Sequence, residues 1–180
     1  QWSKGGVALD GSTGSTLSLA NVAPSDAADY MVAVSNGAGR VESSLIALNV
    51  IQPVAIVSQP AAAVAAIGDK AVFGVSVTGS VPISYQWKFN GEPLANQSAA
   101  ELVIENVSPV DGGTYTVTAT NASNSVESEG VELTILTPPV ITEIVGNQQV
   151  AAGGTVNLWL TAGGTAPLVY QWKLEGVVIS

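Results

Sequence analysis

Carboxylates are the side chains in this sequence best suited to chemistry, and their spacing limits what they can do. Glu101 and Glu105 are the kind of pair a glycoside hydrolase needs, an acid and a base or nucleophile on either side of a glycosidic bond. They fall in an extended stretch, where four residues at about 3.3 Å each place them ~13 Å apart, too far for that reaction. Glu127, Glu129 and Glu132 cluster near the start of a later extended run, and a calcium site would need several such oxygens converging on one point. No D-x-D or D-x-N-x-D run accompanies them, so they read as a solvated acidic face. The chain has no Cys and no His, which removes Cys nucleophiles, the Ser-His-Asp arrangement and the usual zinc sites. No catalytic, cofactor-binding or metal-ligating residue is assigned, no cofactor is expected, and the chain reads as a non-enzyme.

Three other features could serve recognition. Trp159 lies between Leu158 and Leu160, so strand alternation sends its ring outward, where it could stack on a sugar or a neighbouring chain or simply cover an adjacent side chain. Thr114, Thr116, Thr118 and Thr120 form a ladder that suits the solvent side of a strand. Asn96-Gln97-Ser98, Asn106-Val107-Ser108 and Asn121-Ala122-Ser123 match the N-glycosylation pattern, which is read as chance.

The composition points to strands that bury a core. Of 180 residues, 47% are apolar and 11% charged, a balance unlike that of a disordered chain. Val, Ala, Thr, Ser and Gly dominate, and long helix formers are scarce. Five basic residues against fourteen acidic ones give a net charge of −9, so neither a nucleic-acid footprint nor a polybasic membrane patch exists. No apolar run is long enough to span a bilayer as a helix. The chain opens on Gln1, and is expected to be a processed product or a window cut from a longer polypeptide.

What positions these side chains is a repeat. Trp2, Trp87 and Trp172 recur every 85 residues, each preceded by Gln. Asp26 and Asp111, Tyr30 and Tyr115, Asn36 and Asn121, Gly68 and Gly153, and Pro82 and Pro167 keep the same period. A fixed period of that size means tandem copies of one small domain. In the complete middle copy, Val54–Ser58 is a short extended run ended by Gln59-Pro60, and Gly68-Asp69 is a turn. From Ala71 to Val77, Phe73, Val75 and Val77 share one face. Tyr85 and Trp87 share the next, before the Asn90-Gly91 turn. Leu102 and Ile104 alternate, Tyr115, Val117 and Ala119 point away from the Thr ladder, and a last strand carries Val126, Val131, Leu133 and Ile135. Short strands with frequent turns and no helical period predict an all-β antiparallel sandwich.

With its strand Trp and its Asp111-Gly112-Gly113-Thr114-Tyr115 segment, the middle copy resembles an immunoglobulin domain of the intermediate type, with a tyrosine corner at Tyr115. The family's inter-sheet disulfide would fall at Val75 and Val117, so the resemblance implies that apolar packing replaces it here. The first copy departs at the corner, which reads Asp26-Ala27-Ala28-Asp29-Tyr30 without Gly. Its F–G turn reads Asn36-Gly37-Ala38-Gly39 where the middle copy has Asn121-Ala122-Ser123-Asn124; both are expected to turn. The chain is similar throughout to tandem repeats of large secreted bacterial surface proteins. That likeness rests on Ser58-Gln59-Pro60-Ala61, Tyr85-Gln86-Trp87, Asn106-Val107 and the corner.

The fold class expected is therefore tandem immunoglobulin-like antiparallel β-sandwiches with an 85-residue repeat and no disulfide. Residues 1–52 would be a partial repeat (strands C to G), 53–137 a complete one, and 138–180 a partial one (strands A to C). The first and third pieces are nearly complementary, with Gln1–Asp10 duplicating the register of Gln171–Ser180. They read as limits of a longer array or as a subunit that polymerises by completing its neighbour's half-domain. The duplicated strand speaks against the second reading. Pro at Ile51-Gln52-Pro53 and Thr137-Pro138-Pro139 predicts short, stiff junctions.

The resemblance implies a non-enzymatic, extracellular or cell-surface rod of bacterial origin: a filament, stalk or adhesin spacer. Its partners would be neighbouring repeats end to end, or identical chains in a filament, with no nucleic acid and no membrane insertion. A carbohydrate- or protein-binding module appended to a large secreted enzyme is the alternative, with carbohydrate as a partner unsupported by the sequence. An intracellular muscle-type array suits the low charge less well. Trp2, Trp87 and Trp172 are expected in the cores, and Tyr30 and Tyr115 at the corners.

Overall fold

In a computed structural model, residues 1–179 are described; Ser180, the end of the third segment, lies outside them. They divide into two compact units. One comprises Gln1–Val57, Ser76–Tyr85 and Thr118–Glu127; the other comprises Ser58–Val75, Gln86–Val117 and the chain from Ser128 onward. This division cuts across the 52/53 and 137/138 limits read from the period.

The middle repeat is an immunoglobulin-like β-sandwich. One sheet runs Glu92–Pro93, Ser84–Phe89, Gly113–Thr120, Val131–Leu136, Ala63–Ala66, with Ser125–Glu127 also paired to Gly113–Thr120. Facing strands are Ala71–Gly74 with Glu101–Ile104, and Ala55–Ser58 with Ser76–Thr78. Period-two alternation is visible in burial: Ala71, Phe73 and Val75 are buried while Val72, Gly74 and Ser76 are exposed. Trp87 is 0% exposed, and Phe73 and Leu102 are 1% exposed. Phe73 stacks on Tyr115 at 4.9 Å between ring centroids and lies 6.3 Å from Trp87. Val75 and Val117, where the resemblance placed a disulfide, are both buried in this core.

The structure differs from the sequence reading in four places. Ala63–Ala66 is a strand, and it pairs in parallel with Val131–Leu136. After buried Pro60 interrupts the first edge, the chain crosses to the other sheet rather than ending there. Second, the stretch from Ala71 is two strands, Ala71–Gly74 and Ser76–Thr78, broken at Val75. Third, the single last strand is two, Ser125–Glu127 and Val131–Leu136, separated by Ser128–Gly130.

Buried Ser128 explains that break. Val117 N–H donates to Ser128 Oγ at 3.0 Å, and Ser128 N–H donates back to the Val117 carbonyl at 2.9 Å. A side-chain oxygen thus replaces a strand acceptor, as in a bulge. Ser43 does the same for Val32 in the first segment, at 3.1 and 2.9 Å.

The fourth difference concerns the outer tryptophans. Trp2 is half-buried and donates Nε1–H to the Gly14 carbonyl at 3.0 Å, as Trp87 does to Ala99 at 2.9 Å. Trp172 is 39% exposed and is not in a core. Its neighbour by register, Leu158, was expected inward beside Trp159 but is 56% exposed, so the pair that corresponds to Trp87 and Phe73 has no cover among the described residues.

The first segment's sheet runs Val7–Ala8, Trp2–Lys4, Ala28–Asn36, Gly39–Glu42, with Ile46–Leu48 also on Ala28–Asn36. In the third, Val140–Ile144 pairs with Leu160–Gly163, and Lys173–Leu174 with Val177–Val178.

Candidate functional site

Among the described residues no group of three or more Asp or Glu is placed to hold a metal ion. Glu105 pairs with Lys70 at 3.5 Å on the surface, a contact of little energetic weight. The Thr ladder is less exposed than expected: Thr114 is open, but Thr116, Thr118 and Thr120 are half-buried, and Thr118 Oγ1 is buried without a partner among the described residues. Trp159 is 45% exposed, but it lies outside any strand and its neighbour Leu158, which alternation would turn inward, is 56% exposed.

Both tyrosine corners form. Tyr115 donates its hydroxyl to the Asp111 carbonyl at 2.8 Å, and Tyr30 to the Asp26 carbonyl at 2.9 Å. A short 3-10 turn, Pro109–Asp111 or Pro24–Asp26, sets each one. Asp111 Oδ2 accepts from Ser108 N–H, and Asp26 Oδ2 from Ala23 N–H. Burial, with the Asp111 charge, pushes the Tyr115 phenol up to about 12. The Ala23 amide and then Lys4 lower the Asp26 carboxyl; Lys4 is raised by its 3.1 Å contact with Asp26.

The missing corner Gly has a local reason. A Cβ on Gly113, at φ +155°, would meet Asn90 Oδ1 and Phe89 Cε2, each at 2.7 Å. In the first copy Gly5 stands for Asn90 and Lys4 for Phe89, which leaves room for Ala28. Lys4 Nζ then lies 6.0 Å from the Tyr30 ring centroid, where Phe89 lies 4.9 Å from Tyr115.

The most constructed polar geometry lies at the junctions, and it occurs twice. At Gln52-Pro53, Ser80 N–H donates to the Gln52 carbonyl at 3.1 Å, and Gln52 N–H donates to Ser80 Oγ at 2.9 Å. At Thr137-Pro138, Thr165 N–H donates to the Thr137 carbonyl at 3.0 Å, and Thr137 N–H to Thr165 Oγ1 at 2.8 Å. Each hydroxyl residue follows a glycine that the junction requires. A Cβ on Gly79, at φ +142°, would come within 2.8 Å of Val54 Cα, and one on Gly164, at φ +131°, within 2.9 Å of Pro139 Cα. Cis peptide bonds precede Pro82 and Pro167 just beyond.

The first junction is held further by the Asn121-Ala122-Ser123-Asn124 turn. Asn121 Oδ1 accepts from Ser123 and Asn124 N–H, shaping the turn, while its Nδ2 donates to the Gln52 and Ser80 carbonyls at 2.8 and 3.0 Å. Asn124 exchanges two bonds with Val54: Oδ1 accepts from Val54 N–H at 2.7 Å and Nδ2 donates to its carbonyl at 3.1 Å. Asn36 Oδ1 builds the same turn in the first copy, at 2.8 and 3.1 Å to Ala38 and Gly39. Sequence reasoning saw the prolines and Asn121 but missed the Gly79-Ser80 and Gly164-Thr165 pairs, although both keep the 85-residue period.

Residues 54–135 match the Immunoglobulin I-set domain. Basement membrane-specific heparan sulfate proteoglycan core protein of Mus musculus is 31% identical over 91% of this chain, and Roundabout homolog 1 of Rattus norvegicus is 28% identical over 92%. The chain covers only 5% and 11% of those proteins. The titin I-band fragment I67–I69 superposes with a TM-score of 0.75 over 99% of this chain and 69% of the fragment, at 22% identity, a likeness of fold. These sequence relatives come from animals, and the expected bacterial origin finds no support among them.

Proposed function

We propose that this chain is a non-enzymatic spacer in a tandem immunoglobulin-like protein of the extracellular space or cell surface, part of a filament, stalk or adhesin. Residues 1–52, 53–137 and 138–180 are its partial, complete and partial repeats, and neighbouring repeats are its end-to-end partners. The observation that carries this reading is the junction clasp. Two successive junctions tie the linker to the repeat that follows, with the same pair of backbone and hydroxyl bonds and the same glycine beneath. A tether meant to flex would leave those amides to water. Extracellular placement is supported by the relatives whose names place one in basement membrane and another among cell adhesion molecules.

The test is amide relaxation by NMR. In a clasped linker the Gln52 and Thr137 amides show order parameters near those of the strands, about 0.85; values below about 0.6 would show free tethers and end the spacer reading.

A further inference from the structure

Three triplets of the middle repeat, Asn96-Gln97-Ser98, Asn106-Val107-Ser108 and Asn121-Ala122-Ser123, match the pattern that accepts an N-linked sugar, and the fold sorts them. Such a sugar needs an asparagine Nδ2 that can give up a hydrogen, a free hydroxyl two residues on, and open space for a bulky polar group. Asn121 fails the first requirement. Its Nδ2 donates to the Gln52 and Ser80 carbonyls at 2.8 and 3.0 Å, so a sugar on that nitrogen would displace the clasp. Asn106 is exposed, but Ser108 Oγ donates to Asp111 Oδ2 at 2.7 Å and Val107, between them, is 0% exposed. That triplet is locked into the approach to the tyrosine corner.

Asn96-Gln97-Ser98 meets all three requirements. It lies in the loop between Glu92–Pro93 and Glu101–Ile104, and that loop is held on Trp87. Leu94 N–H donates to the Trp87 carbonyl at 2.9 Å, Trp87 N–H to the Gln97 carbonyl at 3.2 Å, and Trp87 Nε1–H to the Ala99 carbonyl at 2.9 Å. Asn96 and Ser98 fall between these anchors. Both are exposed, and neither side chain makes a hydrogen bond among the described residues. Asn96 turns the chain at φ +62°, where Gly11 stands in the first copy at φ +73°. Asn and Gly both suit a left-handed turn, and of the two only Asn has an amide to modify. The chance reading of these triplets goes with a bacterial origin, and the animal relatives lend that origin no support.

We propose that Asn96 is an N-glycosylation site. The donor is an oligosaccharide carried on a lipid diphosphate. Asn96 Nδ2 attacks the anomeric carbon, and the new N–C bond forms as the bond from that carbon to the diphosphate oxygen breaks. One Nδ2 proton passes to a base of the transferase, and the lipid diphosphate leaves. Because the loop is held at Leu94, Gln97 and Ala99, the sugar has a fixed root on the sandwich. The proposal rests on the extracellular placement proposed above and not on the clasp.

The experiment delivers the full chain to the secretory pathway of animal cells with a cleavable leader and recovers it from the medium. N-linked sugar is then removed by an amidase in water enriched in heavy oxygen, which turns each sugar-bearing Asn into a mass-tagged Asp. The tag is expected at Asn96 and at neither Asn106 nor Asn121. Ser98→Ala leaves the Asn96 backbone and the bonds to Trp87 in place, and yields a chain without sugar that melts like the deglycosylated wild type. Ser123→Ala leaves the sugar at Asn96 unchanged. A secreted wild-type chain without the tag, a tag at Asn106 or Asn121 in place of Asn96, or sugar retained in Ser98→Ala would each overturn the proposal. The leader delivers the chain whatever its natural destination, so an empty Asn96 leaves the extracellular reading standing. That reading fails separately, if the native protein is found inside the cell.

Discussion

At the residue scale, the sandwich depends on a few buried side chains whose polar atoms are all engaged. Trp87 is enclosed and bonded through Nε1 to Ala99, so Trp87→Ala leaves a large cavity and an orphaned carbonyl. We expect a loss of about 3–5 kcal/mol, read as a large fall in the melting temperature of the middle repeat; an unchanged melt would place the ring outside the core. Ser128→Ala strands the Val117 amide in that core, and we expect about 1–3 kcal/mol of destabilisation in a denaturant titration. Tyr115 gives a pH dependence of defined sign. Its folded value of about 12 lies above the ordinary 10, so its contribution is complete below pH 10 and is lost as the pH rises through 12. Tyr115→Phe is less stable at neutral pH, through the lost bond to Asp111, and the gap to the wild type narrows in melts taken between pH 10 and 12.

At the element scale, legibility followed from how local each signal was. The strands around Phe73, Trp87 and Tyr115 could be read because alternation and turn residues are written in consecutive positions. Ala63–Ala66 could not, because Ala and Val there carry no alternating pattern and the strand exists only through parallel pairing with a partner about 70 residues away. The last strand was misjudged because its break at Ser128 is made by a bond to Val117, eleven residues back. Trp172 was placed in a core on register alone, although burial needs the facing strands as well as the right residue. The junction is the case of most consequence, since Pro announced stiffness while the Gly79-Ser80 support lay some 27 residues downstream. Gly79→Ala forces a Cβ against the Val54 backbone from a strained φ, and we expect a cost of about 1–3 kcal/mol together with faster hydrogen exchange at Gln52. Exchange at Gln52 as slow as in the wild type would show that the glycine does not support the linker.

At the scale of the whole molecule, the proposed spacer role rests on linkers that stay ordered against the repeat that follows. Among the described residues no three carboxylates are placed to hold a metal ion, the charge is −9, and the most constructed polar contacts join linker to repeat. Under that proposal the Gln52-Pro53 linker stays ordered on the repeat that follows it, through its bonds to Ser80 and Asn121. The absence of Cys makes this directly measurable, since two introduced cysteines are the only labelling sites. Spin labels at Val7→Cys in the first segment and Val110→Cys in the middle repeat, both strongly exposed positions, report across the Gln52-Pro53 junction. Labelled chain is diluted into unlabelled chain, so that only distances within one molecule are read. The account requires a narrow distance distribution that broadens when Gly79→Ala is added; a wild-type distribution as broad as that of a free tether would contradict it.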